Sequence, residues 1–306
     1  MIIYLLLCVT LLIAFLSARI FWMGIHRRGQ GKSLLFALSL SMAAFIYLYG
    51  TWVYLSIYAK YVFGIVYVLQ AGLALWRMKK EPPRLPTNIF VVFARLFLTA
   101  IFVVLIVLYF TGTTGKPDTV ELRFPFKPGN YFVLQGGKGL PTNLFHFSLR
   151  GAIYAMDIVK LDNDGRRANK IFSKKLDDYI IFNDTIYSPC EGVITRAVSE
   201  NPDNIPPNMN RGPKNTNMVV IETTTYNVFM GHIRQDCVFV KEGDHVKEGD
   251  PIGCVGNSGF STEPHLHIQV HQKEGGQPWY RGKPLYIHFD GKGYLLNEVI
   301  HRKNRP

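Results

Sequence analysis

Four long apolar runs crowd the first 110 residues, and a water-soluble fold has no way to bury that many in so short a stretch. A helix that crosses a bilayer needs about 20 mainly apolar residues. Residues 2–23 supply one run, interrupted by Ser17 and Arg19, and residues 34–58 a second with no charge at all. Residues 61–76 form a shorter uncharged run, set off by Ala59 and Lys60. Residues 89–110 form a fourth, with Arg95 inside its start. The spacing predicts four transmembrane helices within residues 1–111; a bent hairpin around Lys60 is the alternative for the middle pair.

The net charge of +12, from 34 Lys and Arg against 22 Asp and Glu, would by itself suggest a nucleic-acid binder. Its distribution argues for no nucleic acid. Residues 1–112 hold ten of the basic residues and a single acid, Glu81, so nine of the twelve excess charges lie beside the apolar runs. Lys and Arg on short loops stay on the cytoplasmic side of a bilayer. Arg27, Arg28 and Lys32 follow the first run; Arg77, Lys79, Lys80 and Arg84, among Pro82, Pro83 and Pro86, follow the third. The loop between the second and third runs carries only Lys60. The expected topology puts the N-terminus and everything after Phe110 outside the cytoplasm, in a multi-pass protein of the cell membrane. Trp22, Trp52 and Trp76 near the run ends suit the interface. A cleaved signal peptide over residues 1–23 lacks its basic leading region. Arg95 is expected to snorkel to the nearby surface. With no Asp or Glu in any run, the helices offer no ion pathway.

Beyond Thr111 Gly and Pro become frequent and apolar runs shorten to strand length. Residues 131–134, 154–159, 192–197, 218–222, 227–230, 251–255 and 267–271 read as strands, most of them separated by Gly, Asn, Asp or Pro. Residues 112–130 read as a linker, residues 131–306 as an all-β domain. Residues 162–178 and 200–216, polar and Pro/Asn-rich, read as surface insertion loops. Cys190, Cys237 and Cys254 allow at most one disulfide in the domain, and the absence of a C-x-x-C pair argues against a thiolate zinc site.

Histidines are the informative residues. In Pro264-His265-Leu-His267-Ile, strand alternation puts His265 and His267 on one face, about 7 Å apart, with Leu266 and Ile268 on the other. Met230-Gly-His232 ends an earlier strand. His271 falls on the same face as His267 and is not ranked as a site residue. His26, His245, His288 and His301 read as ordinary, and Gly165 and Arg166 break any calcium-loop spacing among Asp162, Asp164 and their neighbours. The Gly-Asp turns at 243–244 and 249–250 are similar to those of biotinyl and lipoyl carriers, but His245 stands where those present a Lys.

The ordered set Asn217-Met-Val-Val-Ile221, Gly231-His232-Ile, Gly243-Asp244, Gly249-Asp250-Pro-Ile-Gly253, Gly256-Asn-Ser-Gly259 and Pro264-His-Leu-His267 resembles the M23 metallopeptidases, the LytM/lysostaphin-like peptidoglycan endopeptidases. The resemblance spans about residues 130–271. It implies a fold of antiparallel sheet in the LytM/lysostaphin-like manner outside the membrane, with a motif core at 131–271 and a C-terminal extension. It also implies a zinc ion (Zn2+) and peptidoglycan peptides as substrate, while the apolar runs imply the lipid bilayer as anchor. Carried over by position, His267 and Asp157 correspond to zinc ligands, and His265 and His232 to catalytic residues. His265 is expected as the base and His232 as the oxyanion partner, with the exchange left open. The usual remaining ligand, a His four residues before the Asp, is replaced here by Ile153. Gly136-Gly…Asn143…His146, followed by Tyr154-Ala-Met-Asp157, is similar to a branch in which the His stands further upstream, which makes His146 the expected third ligand. The alternative function is a degenerate LytM-like module that binds wall peptide or activates a separate hydrolase without catalysis.

Overall fold

The computed structural model describes residues 2–26, 31–78, 88–148, 151–209 and 215–303. The chain divides into two compact units, Met1–Phe110 and Thr111–Pro306. Arg27, Arg28, Lys79, Lys80, Arg84 and the prolines at 82, 83 and 86, on which the predicted orientation leans, lie outside the described residues.

The first unit holds helices α1 (Ile2–His26), α2 (Lys32–Tyr49), α3 (Ile57–Met78) and α4 (Ile89–Thr111). All four are long and apolar enough to cross a membrane. Aromatic contacts join three of them: the Phe21 ring lies 5.0 Å from Phe36 and 6.0 Å from Tyr67. The boundary between the second and third runs differs from the sequence reading. The second helix stops at Tyr49, because Gly50 turns the chain and the Trp52 indole Nε1 donates to Ile46 O at 2.8 Å. A Cβ at Gly50 would stand 2.4 Å from that same carbonyl, so only glycine fits the turn. Lys60 is therefore no loop residue. It lies in α3, buried, with its Nζ 4.8 Å from the Tyr47 ring centroid.

The second unit is built on an 11-stranded, mainly antiparallel sheet with a separate three-stranded sheet against it. Its centre is β2 (Gly129–Gln135), β3 (Met156–Leu161), β11 (Leu266–Gln272), β7 (Tyr226–Gly231), β6 (Met218–Glu222) and β5 (Gly192–Val198), in that spatial order. Alternation explains why these segments are strands: Ile158, Val219, Ile221, Val228, Met230, Leu266 and Ile268 all point into one apolar core. The smaller sheet runs β4 (Thr185–Tyr187), β10 (Pro251–Val255), β8 (Ile233–Val238), and Cys237 is disulfide-bonded to Cys254 across its last pair.

Both flanks of the domain are woven into the sheet. β1 (Thr119–Leu122), in the segment read as linker, pairs in parallel with β12 (Pro284–Phe289), and Phe124 and Phe126 enter the core. β14 (Val299–Arg302) closes the edge beside β2. The sequence reading missed these because each strand is short and its partner lies far away in the chain. The loop at 162–178 is likewise not wholly solvated, since Arg167, Ala168 and Ser173 are buried.

Candidate metal centre

The centre of the site is a register fact. In the sheet, His267 on β11 stands directly opposite Asp157 on β3 and, on its other side, opposite Gly231 at the end of β7. His232 follows at once with φ of +64°, a left-handed conformation that few non-glycine residues adopt. The chain thus leaves β7 so that the His232 ring lies 4.7 Å from His265 and 5.7 Å from His267. The fourth imidazole arrives from outside the sheet. A one-turn helix, α5 (Leu144–Phe147), carries His146 to a ring separation of 4.8 Å from His267.

Three of these residues, His146, Asp157 and His267, offer ligand atoms all within 4.8 Å of one another. His146 Nε2 lies 3.3 Å from Asp157 Oδ2, and His267 Nδ1 lies 3.0 Å from Asp157 Oδ1. His265 Nε2 approaches the same Oδ1 at 3.4 Å. Ile153, where the sequence resemblance would expect a ligand, instead offers its carbonyl to Asn143 Nδ2.

Hydrogen-bond directions show what this donor set fits. Asn143 Nδ2 donates to Ile153 O at 3.0 Å and Ala155 O at 2.9 Å, so its Oδ1 must be the atom facing His146 Nδ1 at 2.9 Å. That oxygen only accepts, which places a proton on Nδ1 and makes Nε2 the atom that faces the Asp157 carboxylate. His265 Nδ1 donates to Glu263 O at 2.8 Å and His232 Nδ1 to Ser258 O at 2.7 Å, again leaving Nε2 as the inward atom. Acceptors aimed at one another across about 3 Å call for a shared proton or a metal cation between them. Two imidazole nitrogens, a carboxylate and one remaining position form the donor chemistry of a catalytic zinc site.

Electrostatics separate the four rings. Burial would raise Asp157, but the His146 and His265 imidazoles outweigh it and hold its carboxyl well below the usual range. His232 is held well below an ordinary histidine, first by burial and then by its neighbours His265 and His267. Burial also lowers His267. His265 moves the other way: burial opposes its charge, yet Asp157 and Glu263 raise it.

Supporting residues that sequence reasoning did not assign lie in the loops. Ser258 Oγ donates to Ile233 O and receives the Asn217 amide, which pins the loop whose carbonyl holds His232. Gly259, at φ of +75°, packs so tightly that a Cβ would stand 1.9 Å from Thr216 Oγ1. Asn204, from the 200–216 insertion, donates to Gly259 O and Ser261 O; residues 210–214 of that insertion are outside the described residues. Arg167 reaches Glu263 from the other insertion, Nη2 to Oε2 at 2.8 Å, as an ion pair with both side chains almost fully buried.

Residues 178–279 match the family model described as peptidase family M23. The match covers about a third of the chain and lies wholly within the C-terminal unit. The match takes in His232, His265 and His267 and begins after His146 and Asp157, so it does not speak to those two. Over 33 residues the chain is 58% identical to an uncharacterized metalloprotease of Buchnera aphidicola, 11% of this chain and 9% of that protein. The chain therefore spans only a small part of the curated relative it matches. Among solved structures the C-terminal unit is similar to a zinc-containing peptidase from Vibrio cholerae, at 19% identity over 55% of this chain and 37% of that one, TM-score 0.27. The lysostaphin catalytic domain of Staphylococcus simulans shares 20% identity over 49% and 82%, TM-score 0.27. A mutant catalytic domain of the M23 protein EnpA from Enterococcus faecalis shares 17% over 57% and 93%, TM-score 0.29.

Proposed function

We propose that this chain is a membrane-anchored zinc metalloendopeptidase that hydrolyses peptide bonds of peptidoglycan outside the cytoplasm. The observation that carries this reading is the convergence of His146, Asp157 and His267, whose ligand atoms all lie within 4.8 Å of one another. His146, Asp157 and His267 would hold the zinc. Bound there, zinc would polarise the scissile carbonyl and bring the ionisation of water from a pKa of 15.7 towards about 7.

The remaining work falls to His232 and His265, each with Nδ1–H fixed on a backbone carbonyl and Nε2 turned inward. Their rings are too close to carry two charges comfortably, and the pair divides unevenly. His232, neutral, offers a lone pair that can take a proton from the attacking water and return it to the leaving amine. His265, favoured in its charged form by Asp157, can donate to the oxygen that gains charge. In the metal-free protein this electrostatic difference supports exchanging the two roles expected from sequence. The four apolar helices serve as the anchor, and a disulfide between Cys237 and Cys254 suits an oxidising compartment beyond the cytoplasm.

The test uses the full chain purified in detergent. One zinc per chain and release of peptides from isolated cell walls, both lost in His146→Ala, are the expected results. A metal-free protein that retains wall peptides without cutting them overturns the enzyme reading.

A further inference from the structure

Behind the ligands, β11 presents His267, Gln269 and His271 on one face at every second residue, and their hydrogen bonds run in one direction. The start is a backbone carbonyl. Gly282 O lies 3.0 Å from His271 Nδ1 and can only accept, so that nitrogen carries a proton. His271 is wholly buried, with the Trp279 ring edge-on at 5.7 Å and Gly151 so close that a Cβ there would stand 2.9 Å from the imidazole. Burial holds its pKa down against the pull of the Gly282 and Gly151 carbonyls, so the ring is neutral and Nε2 accepts. Gln269 Nε2 faces that nitrogen at 3.3 Å and donates to it. The amide is thereby oriented, and its Oε1 lies 3.0 Å from His267 Nε2, from which it receives a proton. His267 Nδ1 is left without hydrogen, facing Asp157 Oδ1 at 3.0 Å.

Without this chain the balance would tip the other way. A carboxylate 3.0 Å from Nδ1 attracts the ring proton to that side, since a charge-assisted hydrogen bond is roughly twice as strong as a neutral one. His267 with a proton on Nδ1 is closed to a metal ion. We propose that Gln269 and His271 are positioning residues that hold His267 in its Nε2–H tautomer and so keep Nδ1 open as a zinc ligand. The inference rests on the zinc reading above, but it concerns a state of the imidazole that exists before any metal binds.

The experiment uses the full chain in detergent, labelled with 15N-histidine, and reads two quantities: the His267 tautomer in the metal-free protein and the zinc dissociation constant against a competing chelator. Gln269→Leu removes the accepting oxygen and is expected to move the His267 proton to Nδ1 and weaken zinc binding about 10–100-fold. His271→Leu leaves the amide free to turn and shifts both readouts in the same direction, by less. Adding Gln269→Glu to His271→Leu restores the Nε2–H tautomer, because a carboxylate only accepts and needs no partner to orient it. A merely structural role for the pair gives no such rescue. The inference is overturned if Gln269→Leu keeps the parent tautomer and binds zinc within about twofold of the parent, or if the double variant does not recover the tautomer. Should Gln269→Leu fail to fold, the His271→Leu pair still decides. A parent chain that binds no zinc overturns the function proposed above, and its metal-free spectrum still tests this inference separately.

Discussion

The Asn143 side-chain carbonyl receives the His146 Nδ1 proton at 2.9 Å while the amide end of the same residue holds Ile153 O and Ala155 O. One buried side chain thus joins the helix that carries His146 to the segment leading into Asp157, and sets the direction of the imidazole. It also gives the substituted position a use: Ile153 contributes its backbone where its side chain offers nothing. Asn143→Ala removes three hydrogen bonds, two of them buried, a loss of about 2–4 kcal/mol, and is expected to weaken zinc binding about 10–100-fold. Thermal unfolding and chelator competition measure the two effects. Unchanged zinc affinity in a folded variant would count against this account of His146.

The ion pair between Arg167 and Glu263 is buried on both sides, and Glu263 O holds His265. Arg167→Met strands a buried carboxylate and is expected to cost about 3–5 kcal/mol, whereas the joint Arg167→Met, Glu263→Leu change should cost less. Urea unfolding of the two variants provides the comparison. If the single variant is as stable as the parent, the insertion at 162–178 does not brace this loop.

In the metal-free protein, stability should peak near pH 6.5. His232, His267 and His271 have folded values below their unfolded value of about 6.5, so they are neutral when folded and take up protons on unfolding. Their contribution falls as pH drops below about 6.5. His265 has the opposite shift; its contribution is complete below about 6.5 and is lost as pH rises through its raised folded value. Asp157, held well below the carboxylate range, does not titrate over this interval. Tm measured from pH 5 to 8.5 in chelator should show both limbs, and His265→Gln should flatten the alkaline one. A parent curve that climbs steadily to pH 8.5 contradicts the assignment.

The disulfide between Cys237 and Cys254 closes a short loop, 17 residues apart in sequence, across neighbouring strands of the smaller sheet. Replacing both cysteines with Ser should lower stability by about 3 kcal/mol on the chain-entropy model, with zinc content unchanged because neither sulfur belongs to the ligand set. Parallel Tm and metal analyses check both halves of that statement.

Much of this protein can be read along the chain. Long apolar runs mark the four helices, although the turn at Gly50 is hidden because no charge breaks the second run there. Period-two alternation places His265 and His267 on one face, and the core strands follow the same rule. The ends of the domain were less visible. Thr119–Leu122 and Val299–Arg302 are too short to stand out, and each is a strand only because a distant partner receives its backbone hydrogen bonds. Gln269 occupied a readable position, two residues past His267, but its importance depends on Gly282, a residue no local pattern connects to it.

Composition and periodicity alone determined that the first third holds four runs apolar enough to cross a membrane and that two histidines share a strand face, because transfer free energy and backbone pleat act residue by residue. Only the tertiary structure decided which nitrogen of each imidazole faces the carboxylate. A neutral imidazole has one proton and two places to put it, and the choice belongs to the carbonyl or amide that another part of the chain brings against its far side.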